Sequence, residues 1–447
     1  MKQKKDHNQK ADLIISGQYL LPTAQESDVI INGAIAIKDD RILATGPAAE
    51  LATRFPETKI LHEPHGLIMP GLINTHTHAA MSCLRGMADD LELMGWLQDH
   101  IFPIEAQLTP QMVYQSTQLS IAEMIRSGTT SFCDMYLFSK EVARAAAESG
   151  MRAWIGEVLY DFPSPCYGEL ENGFAYTREL LAEYDNHPTI SITVDPHSVY
   201  TCAPSLLERL NIMAQDHQSL IVIHLSENAA EVNGCQAQYG CSPVEHLDRL
   251  GLLHDRTLAA HCVILNEDEI DLLAKRDVKV SHCPESNMKL ASGVAPIPQM
   301  LAAGITVGLG SDGAASNNNV DLFGEMNSAA KLHKVTTLDP TVMDSSTTLH
   351  AATQGGADCL LAGGSVGSLT PGKKADLIIL DLNQPHLTPL YHLPSHLVYA
   401  ARGTDVIHSM INGRFVMQQR QLLTLDEKAI LAQAQALGKT ILACRKS

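Results

Sequence analysis

The stretch "PGLINTHTHAAMSCLRG", residues 70–86, places His76 and His78 at the end of an apolar, strand-like run. Residues two apart on a strand point to one face, so both imidazoles leave the sheet on the same side. Packing would favour Val or Ile there, whereas paired nitrogen donors favour a cation. Further polar residues close other apolar runs: His197, His224 with Glu227, His261, His282 and Asp312. Two imidazoles from His76 and His78, a third from His224 and a carboxylate from Asp312 make a His₃Asp set. Such mixed donors suit a divalent ion, zinc or iron(II), and leave room for a bound water. An HxH pair alone is commonly two partly exposed histidines. The recurrence of polar residues at matching strand ends is what turns the pair into a metal expectation.

These residues need a frame that gathers strand ends. Eight candidate strands run through the middle of the chain, at 67–78, 129–135, 152–159, 190–198, 219–227, 257–263, 278–286 and 305–313. Most are near-continuous hydrophobic runs, as expected of parallel strands buried on both faces. The segments between them, such as "QMVYQSTQLSIAEMIRSG" (111–128), carry helical periodicity and end on glycine. Eight strand–helix units predict a (β/α)₈ TIM barrel, whose functional residues sit at the C-terminal strand ends. An open doubly wound sheet is the alternative, but no GxGxxG follows an early strand.

The two chain ends read alike, as short β-type runs punctuated by Gly, Asn and Asp. In "DVIHSMINGRFVMQQRQLL" (405–423), Asn412-Gly413 between two apolar runs signals a hairpin. Terminal strands that need a common partner predict one small β-sandwich domain built from both termini. The expected division is 1–66 and 367–447 for that domain, with a terminal helix, and 67–366 for the barrel.

Composition narrows the chemistry. The chain has 447 residues, 45% hydrophobic and 18% charged, with 50 acidic against 32 basic side chains and a net charge of −18. This acidity argues against nucleic acid or a polyphosphate as partner, and for a small neutral or zwitterionic molecule. None of the ten cysteines forms a CxxC pair, so neither a zinc ribbon nor a redox motif is present. Cys262 and Cys283, in apolar runs, read as reduced core thiols. The basic start is followed by "ADLIISGQYLLP", too broken for a signal-peptide core, and no later run reaches membrane-spanning length. The expectation is a cytoplasmic protein without a membrane partner.

The motifs "PGLINTHTHAAMSCLRGMADDL", "HLSEN", "AAHCV", "SHCPESNMKLASGVAPI", "GLGSDGAASNN" and "GSLTPGKKADLIILDL" resemble the amidohydrolase superfamily. Within it they are most similar to the methylthioadenosine/S-adenosylhomocysteine deaminases, over nearly the whole chain. The resemblance implies a metallated barrel, a homo-oligomer, and a metal on His76, His78, His224 and Asp312. Two-metal relatives carry a lysine at the end of strand four; here that strand ends "VDPHS", which implies a single ion. His197 then becomes a contact to the nucleoside. Deamination requires an activated water, and a metal can lower its pKa from 15.7 to about 7. Asp312 is expected to take the water's proton and Glu227 to protonate the purine ring nitrogen. His261 is expected to orient the nucleophile and pass protons to the leaving ammonia. Glu105 in "HIFPIE" matches the carboxylate that grips the ribose hydroxyls in the resembling enzymes.

Two arginines that the resemblance would place near the third strand have no counterpart. Glu157 stands where the first is expected, and Arg152 sits at the strand start as a structural residue. That favours methylthioadenosine or adenosine over the larger S-adenosylhomocysteine. Trp96 packs on the ligand or belongs to the core, and His282 reads as rim structure. A sister enzyme acting on guanine, cytosine, a pterin or a triazine is the alternative, discriminated by Glu105, since a free base has no diol. A catalytically inactive scaffold is disfavoured because every ligand position is filled. The HxE…PCxxC deaminase design is absent.

Overall fold

The computed structural model describes residues 10–91 and 95–444. Five strands open the chain: β1 (Leu13–Leu20), β2 (Ile30–Ile31), β3 (Gly33–Lys38), β4 (Arg41–Pro47) and β5 (Lys59–Pro70). The middle carries β6 (Leu72–Thr77), β7 (Thr129–Tyr136), β8 (Arg152–Leu159), β9 (Ile190–Ile192), β10 (Asp195–Pro196), β11 (Ile221–Leu225), β12 (Thr257–His261), β13 (Lys279–His282) and β14 (Val307–Leu309). The chain returns to β structure with β15 (Leu377–Asp381), β16 (Val406–Ile411), β17 (Arg414–Gln418) and β18 (Gln421–Leu422). Helices separate most of the middle strands, so the fold is mixed α/β.

Both chain ends meet in one sheet. Among the described residues its order is β18-β17-β16-β15-β5-β1-β3-β4, with β2 on β1. β5 is the joint, parallel to β1 and antiparallel to β15. The period of two along β3 sorts its residues by size. Ile35 and Ile37 face a buried cluster with Ile15, Ile68, Leu377 and Ile379, while Ala34 and Ala36 lie under the helix Ala48–Arg54 through Leu51. Each buried Ile contributes about 1.5–3 kcal/mol. The sheet curls back on itself, for Arg41 bridges Lys374 and the Ile42 N–H donates to the Lys373 carbonyl at 2.9 Å. Asn412 (φ 51) and Gly413 (φ 75) make the β16–β17 turn expected of an Asn-Gly pair.

The middle strands pair in parallel, β6-β7-β8-β10 with β9 also on β8, and β11-β12-β13-β14. The run 190–198 is thus two short strands on one neighbour. Backbone bonds link the two sheets at both junctions. Val194 bridges Ile221 on one side, and the Asp312 N–H donates to the His76 carbonyl at 3.0 Å on the other. β7 and β8 are buried along their whole length, as their unbroken apolar character requires. The helix Pro110–Arg126 starts on Thr109, whose hydroxyl accepts from the Met112 N–H at 3.3 Å, and Gly128 turns the chain at φ +88.

The run 67–78, expected as one strand, is two. Leu67–Pro70 pair with β15 in the terminal sheet, and Leu72 begins the pairing with β7. Gly71 stands at the break, where a Cβ would collide with the Thr130 side chain. Arg152 is structural in the sense expected. Its guanidinium holds Asp376 in a fork, Nε to Oδ2 at 2.7 Å and an η nitrogen to Oδ1 at 3.1 Å, with both side chains buried. Asp376 also accepts from the Asn412 N–H at 2.7 Å, so the pair ties β8 to the terminal sheet. Arg152→Ala is expected to cost about 3–5 kcal/mol, because it strands a buried carboxylate. A thermal melt checks it; an unchanged melting temperature would show the pair to be dispensable.

The nine cysteines whose side chains the structure describes are free, and Cys262 and Cys283 are buried. No helix among the described residues is long and apolar enough to cross a membrane.

Candidate active site

Strand ends deliver the functional side chains to one pocket. It is lined by His78, Glu105, His197, His224, Glu227, His261 and Asp312, with Trp96 in its wall. Apolar walls around a few convergent polar groups are what a small-molecule site requires. His76 lies fully buried beside it, its ring 4.9 Å from those of both His78 and His224. All eight site residues expected from the sequence are therefore brought together.

The tautomers follow from hydrogen bonds. His78 directs Nδ1 to the Met135 carbonyl, and His224 directs Nδ1 to the His197 carbonyl at 2.9 Å. Each carbonyl can only accept, so each Nδ1 carries a proton and each Nε2 is left for another partner. Those two Nε2 atoms stand 3.4 Å apart. Asp312 Oδ1 lies 3.1 Å from His78 Nε2 and 3.5 Å from His76 Nε2, and makes no hydrogen bond. His76 leaves both ring nitrogens without a hydrogen-bond partner. His76, His78 and Asp312 form one group able to hold an ion, and His76, His224 and His261 another, with donor atoms within 4.8 Å. Buried lone pairs converging without a hydrogen between them fit a divalent cation.

The protonation preferences agree. Burial pushes His76 down to about 4 and His224 well below the usual imidazole range. Burial also opposes charge on His78, but the Asp312 carboxylate against it prevails and lifts it to about 9. Burial would raise Asp312, yet His76 and His78 hold it well below the ordinary carboxylate range. Burial thus keeps His76 and His224 neutral, while the Asp312 carboxylate favours positive charge beside His78.

Asp312 is aimed by two serines. Its Oδ2 accepts from Ser286 Oγ at 2.6 Å and Ser316 Oγ at 2.8 Å, leaving Oδ1 for the imidazoles. Asn287 Oδ1 lies 2.9 Å from His261 Nδ1 and accepts its proton, which leaves His261 Nε2 as an acceptor. Ser286 and Asn287 are neighbours in the helix Pro284–Lys289, so a single turn holds both groups. The backbone is left-handed at Ser226 (φ 50), His261 (φ 73) and Asp312 (φ 58). At His261 and Asp312 this turns the side chain out of the strand alternation, and both line the pocket.

Glu227 is positioned by Glu231, whose carboxylate accepts from the Ser226 N–H at 2.9 Å and the Glu227 N–H at 2.8 Å. Burial raises both carboxyls, that of Glu231 to about 8. His197 sets Nδ1 2.8 Å from the Thr201 hydroxyl, and burial depresses it to about 3, so it is neutral. Glu105 accepts from the Tyr136 hydroxyl at 2.7 Å. Trp96 is buried, and its indole N–H has no partner among the described residues. His282 does not line the pocket; its Nε2 lies 3.0 Å from Nε2 of His333. Glu157 accepts from the Ser139 N–H at 2.8 Å and caps the helix Ser139–Ser149. Ser286, Asn287, Ser316, Glu231 and Tyr136 were not singled out from sequence, although four of them stand within or beside the quoted motifs.

Comparison with known proteins agrees with this site. Residues 67–416 match the model of the Amidohydrolase family, and 33–57 match an imidazolonepropionase-like composite domain of bacteria. The chain belongs to the amidohydrolase family, and it is a hydrolase acting on C–N bonds. It is 52% identical to a 5-methylthioadenosine/S-adenosylhomocysteine deaminase of Syntrophobacter fumaroxidans, over 97% of this chain and 99% of that one. A second deaminase of that name, from Syntrophus aciditrophicus, is 48% identical over 97% and 98%. An adenosine deaminase from Xanthomonas campestris with bound zinc superposes with a TM-score of 0.95, at 40% identity over 97% and 99% of the two chains. An Arthrobacter aurescens atrazine chlorohydrolase shares the fold, with a TM-score of 0.88 at 22% identity over 95% and 100%.

Proposed function

We propose that this chain hydrolyses the 6-amino group of 5′-modified adenosines, of the methylthioadenosine, S-adenosylhomocysteine and adenosine class, to the inosine derivative and ammonia. One observation carries the reading. A cation-hungry cluster of His76, His78, His224 and Asp312 shares a pocket with Glu227, His261, His197 and Glu105. The names of the relatives at 52% and 48% identity support the substrate class.

In this reading His76, His78, His224 and Asp312 hold one divalent ion, zinc or iron(II). When bound, such an ion lowers the pKa of water towards about 7. The free Oδ1 of Asp312 takes a proton from the attacking water as oxygen adds to C6. Glu227, its carboxyl raised by burial, supplies a proton to the ring nitrogen. His261, its Nε2 freed by Asn287, orients the nucleophile. At Nε2 it also takes the remaining hydroxyl proton of the adduct and passes it to the departing amine, so the C6–N bond breaks to give ammonia and the C6 oxygen becomes the carbonyl. Neutral His197 contacts the nucleoside, and Glu105 accepts from the ribose hydroxyls. The reading also takes residues 67–366 as a closed barrel, and 1–66 with 367–447 as a β-sandwich domain. Bonds across both sheet junctions and the curl of the terminal sheet support this.

The test is a panel of methylthioadenosine, S-adenosylhomocysteine, adenosine and guanine, followed by the absorbance change as adenine becomes hypoxanthine. Failure to turn over any adenosine derivative would overturn the proposal. Glu105→Gln separates a nucleoside enzyme from a free-base enzyme. A neutral amide is a weaker acceptor for a diol, so KM for methylthioadenosine is expected to rise about tenfold or more. Unchanged KM would remove Glu105 from the ribose.

A further inference from the structure

The proposed reaction fixes where the purine and ribose sit, and leaves the 5′ substituent to the rest of the pocket. Among the described residues that line it, the charged groups besides the histidines are Glu105, Glu227 and Asp312. None is Lys or Arg. The arginines on neighbouring elements are committed elsewhere. Arg152 is locked to Asp376, and Arg209 pairs with Glu171 while lying over the Phe174 ring. Arg178 also lies over Phe174.

Aromatic side chains occupy part of the remaining, largely apolar wall. The rings of Tyr160 and Phe162 stack with centroids 3.9 Å apart and planes within 16°. Phe162 in turn packs on Phe102 at 6.4 Å. Phe102 and Glu105 belong to the same short helical turn, so this cluster adjoins the group that would hold the ribose. Phe162 is 41% exposed although it lines the pocket, so it offers an unfilled apolar face at the rim.

We propose that Phe102, Tyr160 and Phe162 form a subsite for an uncharged, apolar 5′ substituent, which makes methylthioadenosine the preferred substrate and selects against the carboxylate of S-adenosylhomocysteine. The inference rests on the deaminase reading and on Glu105 binding the ribose. A thioether methyl gains contact with aromatic edges there. A carboxylate there would lose water against aromatic faces and meet no Lys or Arg among the lining residues.

Steady-state kinetics with methylthioadenosine, adenosine and S-adenosylhomocysteine tests it, using the wild type, Phe162→Ala and Phe162→Arg. The wild type is expected to favour methylthioadenosine over S-adenosylhomocysteine by at least about tenfold in kcat/KM. Phe162→Ala is expected to lower the methylthioadenosine-to-adenosine ratio about threefold to tenfold. Phe162→Arg should shift the preference towards S-adenosylhomocysteine. Equal or better use of S-adenosylhomocysteine by the wild type would overturn the subsite, as would an unchanged ratio in Phe162→Ala. Calorimetric titration of the same nucleosides reads the subsite without turnover. Tighter binding of methylthioadenosine with no deamination would refute the reaction and leave the subsite standing, while equal affinities would refute the subsite.

Discussion

Asp312→Asn is expected to lower kcat about 10⁴-fold with no large change in melting temperature. The asparagine matches the carboxylate in shape, and the serine hydroxyls that donate to Oδ2 can turn to accept from an amide. The fold should therefore tolerate the change. What is lost is the charge at Oδ1, 3.1 Å from His78 and 3.5 Å from His76. With it goes the carboxylate that would take the water's proton while the imidazoles are occupied in holding the ion. The metal content of the purified protein, measured by elemental analysis, separates two consequences. Reduced metal with restored binding in excess zinc, but no restored turnover, assigns Asp312 to proton transfer as well as to the ion. Turnover recovering fully with zinc would confine it to holding the ion, and wild-type turnover in unsupplemented protein would sink both roles.

The site was legible because barrel-type chemistry concentrates polar residues where apolar runs stop. His76, His78, His197, His224, Glu227, His261 and Asp312 all stand at such stops, and all reach the pocket or its floor. His282 stands at one too, although its context in "SHCPES" reads as rim structure and not as part of the ligand set. Its direction is set by a strand of four residues against His333, on a helix some fifty positions away. Supporting residues were harder to see for a different reason. Ser286, Asn287, Ser316 and Glu231 act through a single hydroxyl, amide or carboxylate, and each sits in or beside a helical turn where polar residues are ordinary. Only the placement of Asp312, His261 and Glu227 shows what they hold. The terminal sheet shows the same limit. Its strands were readable one by one, yet the bond between Ile42 and Lys373 that curls it joins positions far apart in the chain.

Backbone strain at the site follows from the same geometry. Ser226, His261, Cys262 and Asp312 are all left-handed without being glycine, at about 1–3 kcal/mol each. Bonds from the surrounding strands offset that cost. The Cys262 N–H donates to the Leu225 carbonyl at 3.0 Å, and the Val263 N–H to the Ser226 carbonyl at 3.0 Å. Regular strand ends would leave these side chains on the sheet alternation, where they could not all face one point. The strained turns are what allow imidazoles and carboxylates from separate strands to converge.

Glu227→Gln is expected to lower kcat by about 10²–10⁴-fold while leaving metal content intact and KM for methylthioadenosine within a few-fold. Glu227 is one residue beyond the left-handed Ser226, and its backbone is clamped by Glu231, so the side chain's place does not depend on its own charge. Glutamine should occupy that place. It can still donate a hydrogen bond to a ring nitrogen, which preserves binding, but it cannot deliver a proton as the ring is attacked. Burial raises the Glu227 carboxyl, so in the folded protein it keeps its proton to higher pH than a free glutamate would. That direction suits an acid working near neutrality. Separating kcat from KM is therefore decisive. A fall confined to KM would make Glu227 a binding group, and loss of metal in step with activity would make it a support for His224. Full kcat in the variant would place the acid elsewhere in the pocket.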